Sequence, residues 1–413
     1  MAIPSGKLLR SAFICTFASA ILILIGITPS QWALWISLAL LAAARVRPRM
    51  PRIWLPLACF IAGTVLSLAL SPEPLHGLPQ IKKLLVFTML AAIYTSFPDA
   101  AAARRLFQCW FVIAAADSCL AAWQFVERMR QAQALHVPFY RFYVDQRITG
   151  TMSHWMTFAG QEMVVFLMLT AFLLFAPHGA SGRRWQALWL ACAGLMAVAL
   201  LLNETRTVWL GVAGGGLWLL WWWKRWTVLA APAVVAALWL APGPVHDRLA
   251  SIFNPRQNVD SNEFRRIARG TGLRMIAAHP VFGIGLDQTK YHFLDYLPPD
   301  TPRPLPPGFY QHLHNVYLQY AAERGIPTLL MMLWLLGRSL RDFWRALRKL
   351  PAGRSLERFL LHGGIATVIG IMLAGLYEVN LGDTEVLTAF LIVVACAYLP
   401  MRVAPGATTS AAP

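Results

Sequence analysis

Residues 155–176 read WMTFAGQEMVVFLMLTAFLLFA and decide the fold class of the chain. At the rise of an α-helix, a run of this length is about 33 Å long, enough to cross the ~30 Å hydrocarbon core of a bilayer. Glu162 is its only charged residue. Because lipid cannot pair exposed backbone groups and the run does not alternate as a barrel strand would, it predicts a transmembrane α-helix.

Eleven further runs have the same character. They lie near 11–28, 31–45, 53–71, 83–98, 106–125, 185–203, 207–223, 226–242, 314–337, 359–377 and 384–401. Hydrophobic residues make up 57% of the 413 residues and charged residues only 13%, whereas a soluble domain carries about a quarter charged residues. We therefore expect an all-α polytopic membrane protein with about 12 transmembrane helices.

The basic residues give these helices a direction. With the N-terminus inside, the inner segments hold 20 basic and three acidic residues, and the outer segments hold 15 basic and 13 acidic residues. Since Arg and Lys are enriched in short cytoplasmic loops, both termini are predicted to be cytoplasmic. The net charge of +17 is spread over many short loops, so it does not indicate a nucleic-acid partner.

The predicted spans divide the chain into four parts. Residues 1–242 hold transmembrane helices 1–9 with an outer loop near 126–154, residues 243–313 form a large outer loop, residues 314–402 hold transmembrane helices 10–12, and residues 403–413 form a cytoplasmic tail. Within the large loop, residues 261–279 carry apolar side chains at helical spacing among basic ones. This pattern predicts an amphipathic helix with a small helical loop region around it, close to the membrane surface.

Most outer cations lie close to a predicted membrane boundary. They include Lys82, Lys83, Arg147, Arg206 and a loop cluster of Arg265, Arg266, Arg269 and Arg274. Fixed cations at the interface suit a phosphate-bearing lipid head group. The simpler alternative, that each of them only reaches towards the phosphates of bulk lipid, stays open at this point.

Two histidines lie where the large loop enters the tenth predicted span, in the segment His312-Leu-His314-Asn315-Val-Tyr317. Histidine titrates near neutral pH and can take a proton from a hydroxyl group. At a helix N-terminus the neutral imidazole is favoured, which suits a general base. A capping or interfacial role is the alternative.

Charged residues inside predicted spans are further candidates. They are Asp117, Glu162, Glu323 and Arg324. The favoured interpretation of the last two, which precede Gly325-Ile-Pro327, is a buried pair at a helix kink. The sequence has no Asp-x-Asp pair, no HExxH and no Cys/His cluster. This favours chemistry without a metal or cofactor, in which arginine stabilises a departing phosphate.

Several motifs resemble those of the O-antigen ligase and O-antigen polymerase superfamily. The segment from His314 to Leu318, followed by Gly325, resembles the His-Asn-x-x-Leu motif of that family and the Gly after it. The segment Asn203-Glu-Thr-Arg206 resembles its Ser-Arg segment at the start of a span, with Thr205 in place of serine.

Two more matches support the same family. Arg265, ahead of His279-Pro-Val-Phe-Gly-Ile-Gly285, resembles an arginine followed by His-Pro-Leu-x-Gly-x-Gly. Arg147-Ile-Thr-Gly-Thr-Met resembles an Arg-x-x-Gly-Thr-Phe segment. The set covers about 145–330, and its order and placement on one membrane face make it more specific than any single motif.

The resemblance implies an inverting, metal-independent glycosyltransferase in the inner membrane of a Gram-negative bacterium, with its active site facing the periplasm. The implied donor is a glycan on undecaprenyl pyrophosphate, and the acceptor of a ligase is a sugar hydroxyl of lipid A-core; membrane lipids surround both. The implied catalytic residues are His314, Arg206 and Arg265. The implied substrate-binding residues are Arg147, Lys82, Lys83, Arg266, Arg269, His312, Asn315 and Tyr317.

Other activities stay open. An O-antigen polymerase and a protein O-oligosaccharyltransferase use the same donor, and the single moderate outer loop favours the ligase over both. A polyisoprenoid-lipid flippase or other transporter is the alternative from another class. A transporter would be expected to show inverted repeats and helices broken at mid-membrane, whereas no repeat is evident and the unexplained cations cluster at one face.

Overall fold

The computed structural model describes residues 6–177, 183–240, 243–254, 262–306 and 308–402, and all regular structure within these ranges is helical. The α-helices are α1 Lys7–Leu22, α2 Ile27–Ala43, α3 Trp54–Ala69, α4 Pro74–Ile81, α5 Thr88–Ser96, α6 Ala100–Ala134, α7 Phe139–Asp145, α8 Trp155–Phe175, α9 Arg183–Leu202, α10 Arg206–Trp223, α11 Ala231–Leu240, α12 Pro244–Phe253, α13 Asn262–Ala278, α14 Thr289–His292, α15 Val316–Leu347, α16 Leu356–Ala374 and α17 Thr384–Tyr398. Short 3₁₀ segments are Lys82–Phe87, Arg225–Ala230, Leu294–Tyr296, Asn380–Gly382 and Leu399–Met401.

Each of the twelve predicted spans overlaps a helix. Among the described residues, five helices are long and apolar enough to cross a membrane, judged by length and composition. They are Ala100–Ala134, Trp155–Phe175, Arg184–Leu202, Leu356–Ala374 and Thr384–Met401, with shorter apolar helices at Ile27–Ala43, Trp54–Ala69 and Arg225–Ala237. The all-helical class is therefore confirmed and the fold is consistent with a polytopic membrane protein, while the number of twelve spans and the cytoplasmic termini stay predictions. The tail 403–413 lies outside the described residues.

The fourth and ninth predicted spans are less regular than the sequence indicated. Each begins as a 3₁₀ segment and continues as a short α-helix, α5 with nine residues and α11 with ten. In the ninth, Pro232 near the start of α11 has no N–H group to continue a helical ladder across the junction.

The core of the bundle surrounds α8, α16 and α17. Most residues of these three helices are buried. Helix α10 lies very close to α16. A Cβ atom built on Gly211 would lie only 2.7 Å from the Gly370 carbonyl oxygen. Glycine therefore sets the spacing of this helix pair, as small residues do in membrane proteins.

Helix α15 is broken at Gly325, where φ is 79° and ψ is 163°. Pro327 has no N–H group for the Glu323 carbonyl oxygen, which instead accepts from Gly285 N (3.1 Å) and Ser67 Oγ (2.8 Å). The Ile326 N–H donates to the Pro280 carbonyl oxygen at 2.8 Å. The segment from His279 to Gly285 thus replaces the backbone hydrogen bonds that the kink removes.

The described parts of the large loop form a folded unit with a small core that includes Ile267, Met275, Phe293 and Leu313. Helix α13 lies where the amphipathic helix was predicted. Ile267 and Met275 on its apolar face are buried against α15 and the loop, whereas Leu273 is 53% exposed. The place of this helix near the membrane surface stays a prediction.

Candidate active site

A loop between α7 and α8 carries Arg147, and two neighbouring helices hold this loop in place. Gln124 of α6 accepts hydrogen bonds from the N–H groups of Thr149 (3.0 Å) and Gly150 (2.9 Å). The buried Asn203, in the turn between α9 and α10, donates to the Ile148 carbonyl oxygen at 3.0 Å. The backbone that follows Arg147 is therefore held in place by hydrogen bonds from α6 and from the turn between α9 and α10.

Arg147 is 9% exposed. Its guanidinium lies over the Trp155 ring, 5.4 Å from the centroid, and Nη1 is 3.5 Å from Thr205 Oγ1. Burial lowers the pKa of Arg147 to about 9, and the nearby Arg248 lowers it further while Glu204 opposes the shift. The side chain stays a cation at neutral pH, and an anionic ligand would relieve its desolvation.

Two further arginines complete a cationic cluster with Arg147. Arg265 projects from α13, and burial lowers its pKa while Glu378 opposes the shift. Arg248 of α12 is buried and donates from Nε to the Glu204 carbonyl oxygen at 2.9 Å and from Nη1 to Tyr140 Oη at 3.1 Å. Three arginines from different segments thus meet near one turn.

His314 follows the large loop in a left-handed backbone conformation, with φ of 50°. The next residue, Asn315, caps α15 by accepting the Leu318 N–H at 2.9 Å and donates to the Leu376 carbonyl oxygen at 2.8 Å. Tyr317 donates to the Met372 carbonyl oxygen at 2.6 Å. The capping side chain and the tyrosine fix the start of α15 against the end of α16, and this fixes the direction of the histidine.

The hydrogen bonds of His314 define its tautomer. Its Nε2 is 2.8 Å from the Phe309 carbonyl oxygen, and because a carbonyl oxygen only accepts, Nε2 carries the proton. Nδ1 is then an unprotonated nitrogen, and it is buried without a hydrogen-bond partner. Burial lowers the pKa of His314 to about 4, against the Phe309 hydrogen bond, and Arg265 lowers it further. The imidazole is neutral at physiological pH.

His312 and Glu378 lie beside His314. One ligand atom from each of the three lies within 4.8 Å of the others. Burial lowers the pKa of His312 to about 3, and burial raises the pKa of Glu378, which Arg265 partly reverses. The three donors are of types that bind Zn²⁺. However, Arg265 places a fixed positive charge beside them, and this charge opposes a divalent cation and favours an anion.

An adjoining cavity of about 400 Å³ opens between the helices and is lined by His312, Glu378 and Thr205. Its lining also includes Lys83, Arg324 and an aromatic wall that contains Phe60 and Phe87. Lys83 Nζ donates to the Gly382 carbonyl oxygen at 2.7 Å. The lining also carries the carboxylates of Asp287, Glu323, Glu378 and Asp383, so the cavity combines charges of both signs with apolar surface.

The predicted site residues do not all reach this place. Arg147, Arg265, His312 and His314 come together, and Lys83 lines the adjoining cavity. Lys82 is exposed, as are Arg266 and Arg269 on α13, and none of these three lines the cavity. Arg206 donates to Ser251 Oγ (3.2 Å) and Asn262 Oδ1 (2.9 Å), so it joins α10 to the large loop.

Sequence reasoning missed Arg248 and Glu378 and set Arg324 aside. Arg248 was one of many loop cations, and Glu378 lay in a short outer turn with no motif around it. Arg324 was interpreted as half of a buried pair with Glu323. The two charges attract each other but form no direct ion pair, because the Glu323 carboxylate accepts from Gln319 Nε2 (2.7 Å) and the Asp287 N–H (3.1 Å). The kink itself is present.

The family comparison covers the centre of this site. The model of the O-antigen ligase family matches residues 191–333, a range that includes Arg206, Arg265 and His314. No curated protein matches the chain significantly. The match over residues 191–333 supports what the motifs predicted, membership of the O-antigen ligase and O-antigen polymerase superfamily.

Proposed function

We propose that the protein is an O-antigen ligase. It transfers a glycan from undecaprenyl pyrophosphate to a sugar hydroxyl of lipid A-core at the periplasmic face of a Gram-negative inner membrane. The observation that carries the proposal is that Nδ1 of His314 has no hydrogen-bond partner and lies beside Arg265. A proton acceptor next to a fixed cation is what attack on a glycosyl pyrophosphate needs.

The proposed reaction is a single inverting displacement. The acceptor oxygen attacks the anomeric carbon, and the bond from that carbon to the pyrophosphate oxygen breaks with its electron pair on the pyrophosphate. The acceptor proton passes to Nδ1 of His314. Arg265 and Arg147 neutralise the charge that develops on the leaving group. Glu378, next to the histidines, is placed to accept a hydrogen bond from the acceptor sugar.

Donor binding would also make His314 a stronger base. In the free protein, burial and Arg265 hold the pKa of His314 near 4. The negative charges of a bound pyrophosphate would compensate Arg265 and favour the imidazolium, so the pKa would rise. The proton acceptor would therefore gain strength only when the donor is present.

Arg206 keeps a proposed role at the pyrophosphate. It donates hydrogen bonds to neutral oxygens of Ser251 and Asn262. A charge-assisted bond from a guanidinium to phosphate is stronger than a bond to either of these groups, which supports a role for Arg206 in binding the donor.

Arginine in place of a metal has a direct consequence. We expect full activity of the purified protein in excess EDTA, because the cations that stabilise the leaving group are side chains. A loss of activity that added Mg²⁺ or Zn²⁺ restores would contradict this part of the proposal, and the histidines with Glu378 would then be the first place to look for the ion.

Deletion of the gene tests the choice of acceptor. Complete lipopolysaccharide core without O-antigen, together with long glycan chains that remain on the lipid carrier, is the result expected for a ligase. A single repeat unit on the core would indicate a polymerase instead. An unchanged lipopolysaccharide ladder would overturn both and favour protein glycosylation or lipid transport. Complementation with the native gene and with His314→Ala links the phenotype to the site.

A further inference from the structure

A second cavity, of about 870 Å³, lies between α1, the start of α6, the end of α8 and the start of α9. All four elements reach the predicted inner side of the membrane. Val112 and Trp185 in its lining are exposed, so the cavity is a groove that opens to the surroundings of the protein. It shares no lining residue with the cavity of the candidate active site, and the proposed transfer reaction does not use it.

The polarity of this groove, here called the α6–α9 groove, changes along α6. Arg104, Arg105 and Gln108 lie at the start of the helix, and Val112 and Ile113 lie further along it. The spacing of three and four residues places these side chains on one side of the helix. At 1.5 Å per residue, the cationic and apolar ends are about 12 Å apart. The groove therefore suits an amphiphile that lies along α6 with its polar end at the start of the helix.

Helix α9 repeats this order on the opposite wall. Trp185 and Gln186 lie in its first turn, and the buried Trp189 follows one turn later. The Trp189 ring packs edge-on against Phe172 of α8, with centroids 5.8 Å apart. Tryptophan near a membrane boundary is typical of the head-group region. The two walls thus have their polar and apolar ends at the same depth.

The polar end of the groove is positively charged. Arg104 is half-buried, and its Nε is buried without a hydrogen-bond partner. Arg105 adds a second cation, whose Nε donates to the Ala101 carbonyl oxygen at 3.4 Å. In the part of the chain that the structure describes, the lining contains no carboxylate. Asp99, which precedes α6, caps the helix by accepting the Ala102 N–H at 2.9 Å and does not line the groove.

This charge pattern selects the class of head group. A phosphate accepts charge-assisted hydrogen bonds from a guanidinium, and the side-chain amides of Gln108 and Gln186 can donate to ester oxygens. The ammonium of a zwitterionic head group would need an anion beside it, and the described lining residues supply none. A phospholipid with a net negative head group fits better, as in other basic pockets between transmembrane helices.

We propose that the α6–α9 groove binds one anionic phospholipid of the leaflet on the predicted inner side. Its phosphate lies at Arg104 and Arg105, and an acyl chain lies along Val112, Phe172 and Trp189. The site is separate from the candidate active site and does not depend on the proposed function. The bound lipid fills the space between α1, α6, α8 and α9 and stabilises that part of the bundle.

Competition between two lipids that differ only in their head groups tests the proposal. The full chain, purified in detergent, is incubated with equal amounts of phosphatidylglycerol and phosphatidylethanolamine that have the same acyl chains, and retained lipid is counted by native mass spectrometry. One retained phosphatidylglycerol is expected. Arg104→Gln should lower its affinity about fivefold, the contribution of one interfacial cation. Arg341→Gln, an exposed cation of another predicted inner segment that does not line the groove, should bind as the native chain does.

A filled groove gives a second test at its apolar end. Val112→Trp places a large side chain at a residue that is 49% exposed, so the fold should tolerate it, and the retained lipid should be lost. Val126→Trp is the matched control, because Val126 lies on the same helix, is 45% exposed and does not line the groove. This variant should retain the lipid, and both variants should melt near the native temperature.

Several results would overturn the proposal. Equal retention of the two lipids would remove the selectivity for an anionic head group. Equal loss in Arg104→Gln and Arg341→Gln would mean that any interfacial cation attracts bulk lipid in the same way. Unchanged retention in Val112→Trp would place the lipid elsewhere, and a lipid-free dimer that Val112→Trp converts to a monomer would place a second copy of the chain in the groove. None of these measurements uses glycan transfer, so the lipid site and the proposed function can fail separately.

Discussion

At the scale of single residues, His314 differs from an ordinary capping histidine because its neighbour Asn315 does the capping. The histidine is left with one nitrogen bound to Phe309 and the other without a partner. We expect His314→Ala to lower kcat by about 10²- to 10⁴-fold, the usual contribution of general acid–base catalysis. The rate at which the purified protein transfers the glycan from a lipid-pyrophosphate donor measures this fall in kcat.

The matched control is His292→Ala. His292 lies in the same loop, pairs with the exposed Asp295 at 3.0 Å and does not line the cavity. This variant should retain native turnover and native thermal stability. Full activity in His314→Ala would show that the acceptor proton leaves by another route.

The pH dependence follows from the same histidine. A base must be neutral to accept a proton, so activity is lost as the pH falls through its pKa. Since the pKa of His314 is lowered to about 4 by burial, kcat/KM, which reports the free protein, should stay level well below pH 6.5. The groups facing His314 are His312, Glu378 and Arg265. A loss centred near pH 6.5 would contradict the buried environment described for His314.

At the scale of elements, the broken helix α15 links the large loop to the cavity. A Cβ atom at Gly325 would lie 1.9 Å from the Val281 carbonyl oxygen, at a φ of 79° that disfavours any other residue. We expect Gly325→Ala to destabilise the protein by more than the ~1–3 kcal/mol that a sparsely populated backbone conformation alone costs, and to lower transfer because Arg324 moves with the kink. Thermal unfolding in detergent and the transfer assay measure the two effects.

Gly337→Ala, on the same helix, is the control for this change. Nothing lies within 4 Å of a Cβ atom built there, and alanine is favoured over glycine in a helix by roughly 0.5–1 kcal/mol. Its melting temperature should equal or exceed that of the native chain. If the two variants have the same melting temperature, the contact between the loop and the kink contributes little to the stability of the protein.

Hydropathy was sufficient to predict where the long apolar helices occur, because a run such as 155–176 has no other way to satisfy its backbone in lipid, but it did not predict the short helices α4, α7, α12 and α14. Local pattern also predicted the kink at Gly325 and the extent of α13. It did not predict that α13 packs against protein, since the sequence pattern of an amphipathic helix is the same whether its apolar face contacts lipid or a neighbouring helix. Arg248 and Glu378 were missed for a related reason: each becomes notable only through a partner far away in the sequence.

At the scale of the whole molecule, segments predicted to lie on the same side of the membrane contact each other. This holds for the outer segments and for the inner ones. At the site, Asn203 bonds to Ile148, and Lys83 bonds to Gly382. Elsewhere, Arg402 donates to the Phe97 carbonyl oxygen at 2.7 Å, and the Ser355 N–H donates to the Phe175 carbonyl oxygen at 3.0 Å. These contacts agree with the division of the segments into two groups, while the side on which each group lies stays a prediction.

Cysteine labelling in cells tests that orientation. Asp300 is exposed in the large loop, and Lys349 is exposed in the turn between α15 and α16. In a chain whose six native cysteines are replaced, Asp300→Cys should react with a membrane-impermeant maleimide in intact spheroplasts. Lys349→Cys should react only after lysis, because Arg and Lys hold its loop in the cytoplasm. The reverse pattern would place the cationic cluster on the cytoplasmic side, where undecaprenyl-linked glycans are built rather than consumed, and the ligase proposal would fall with it.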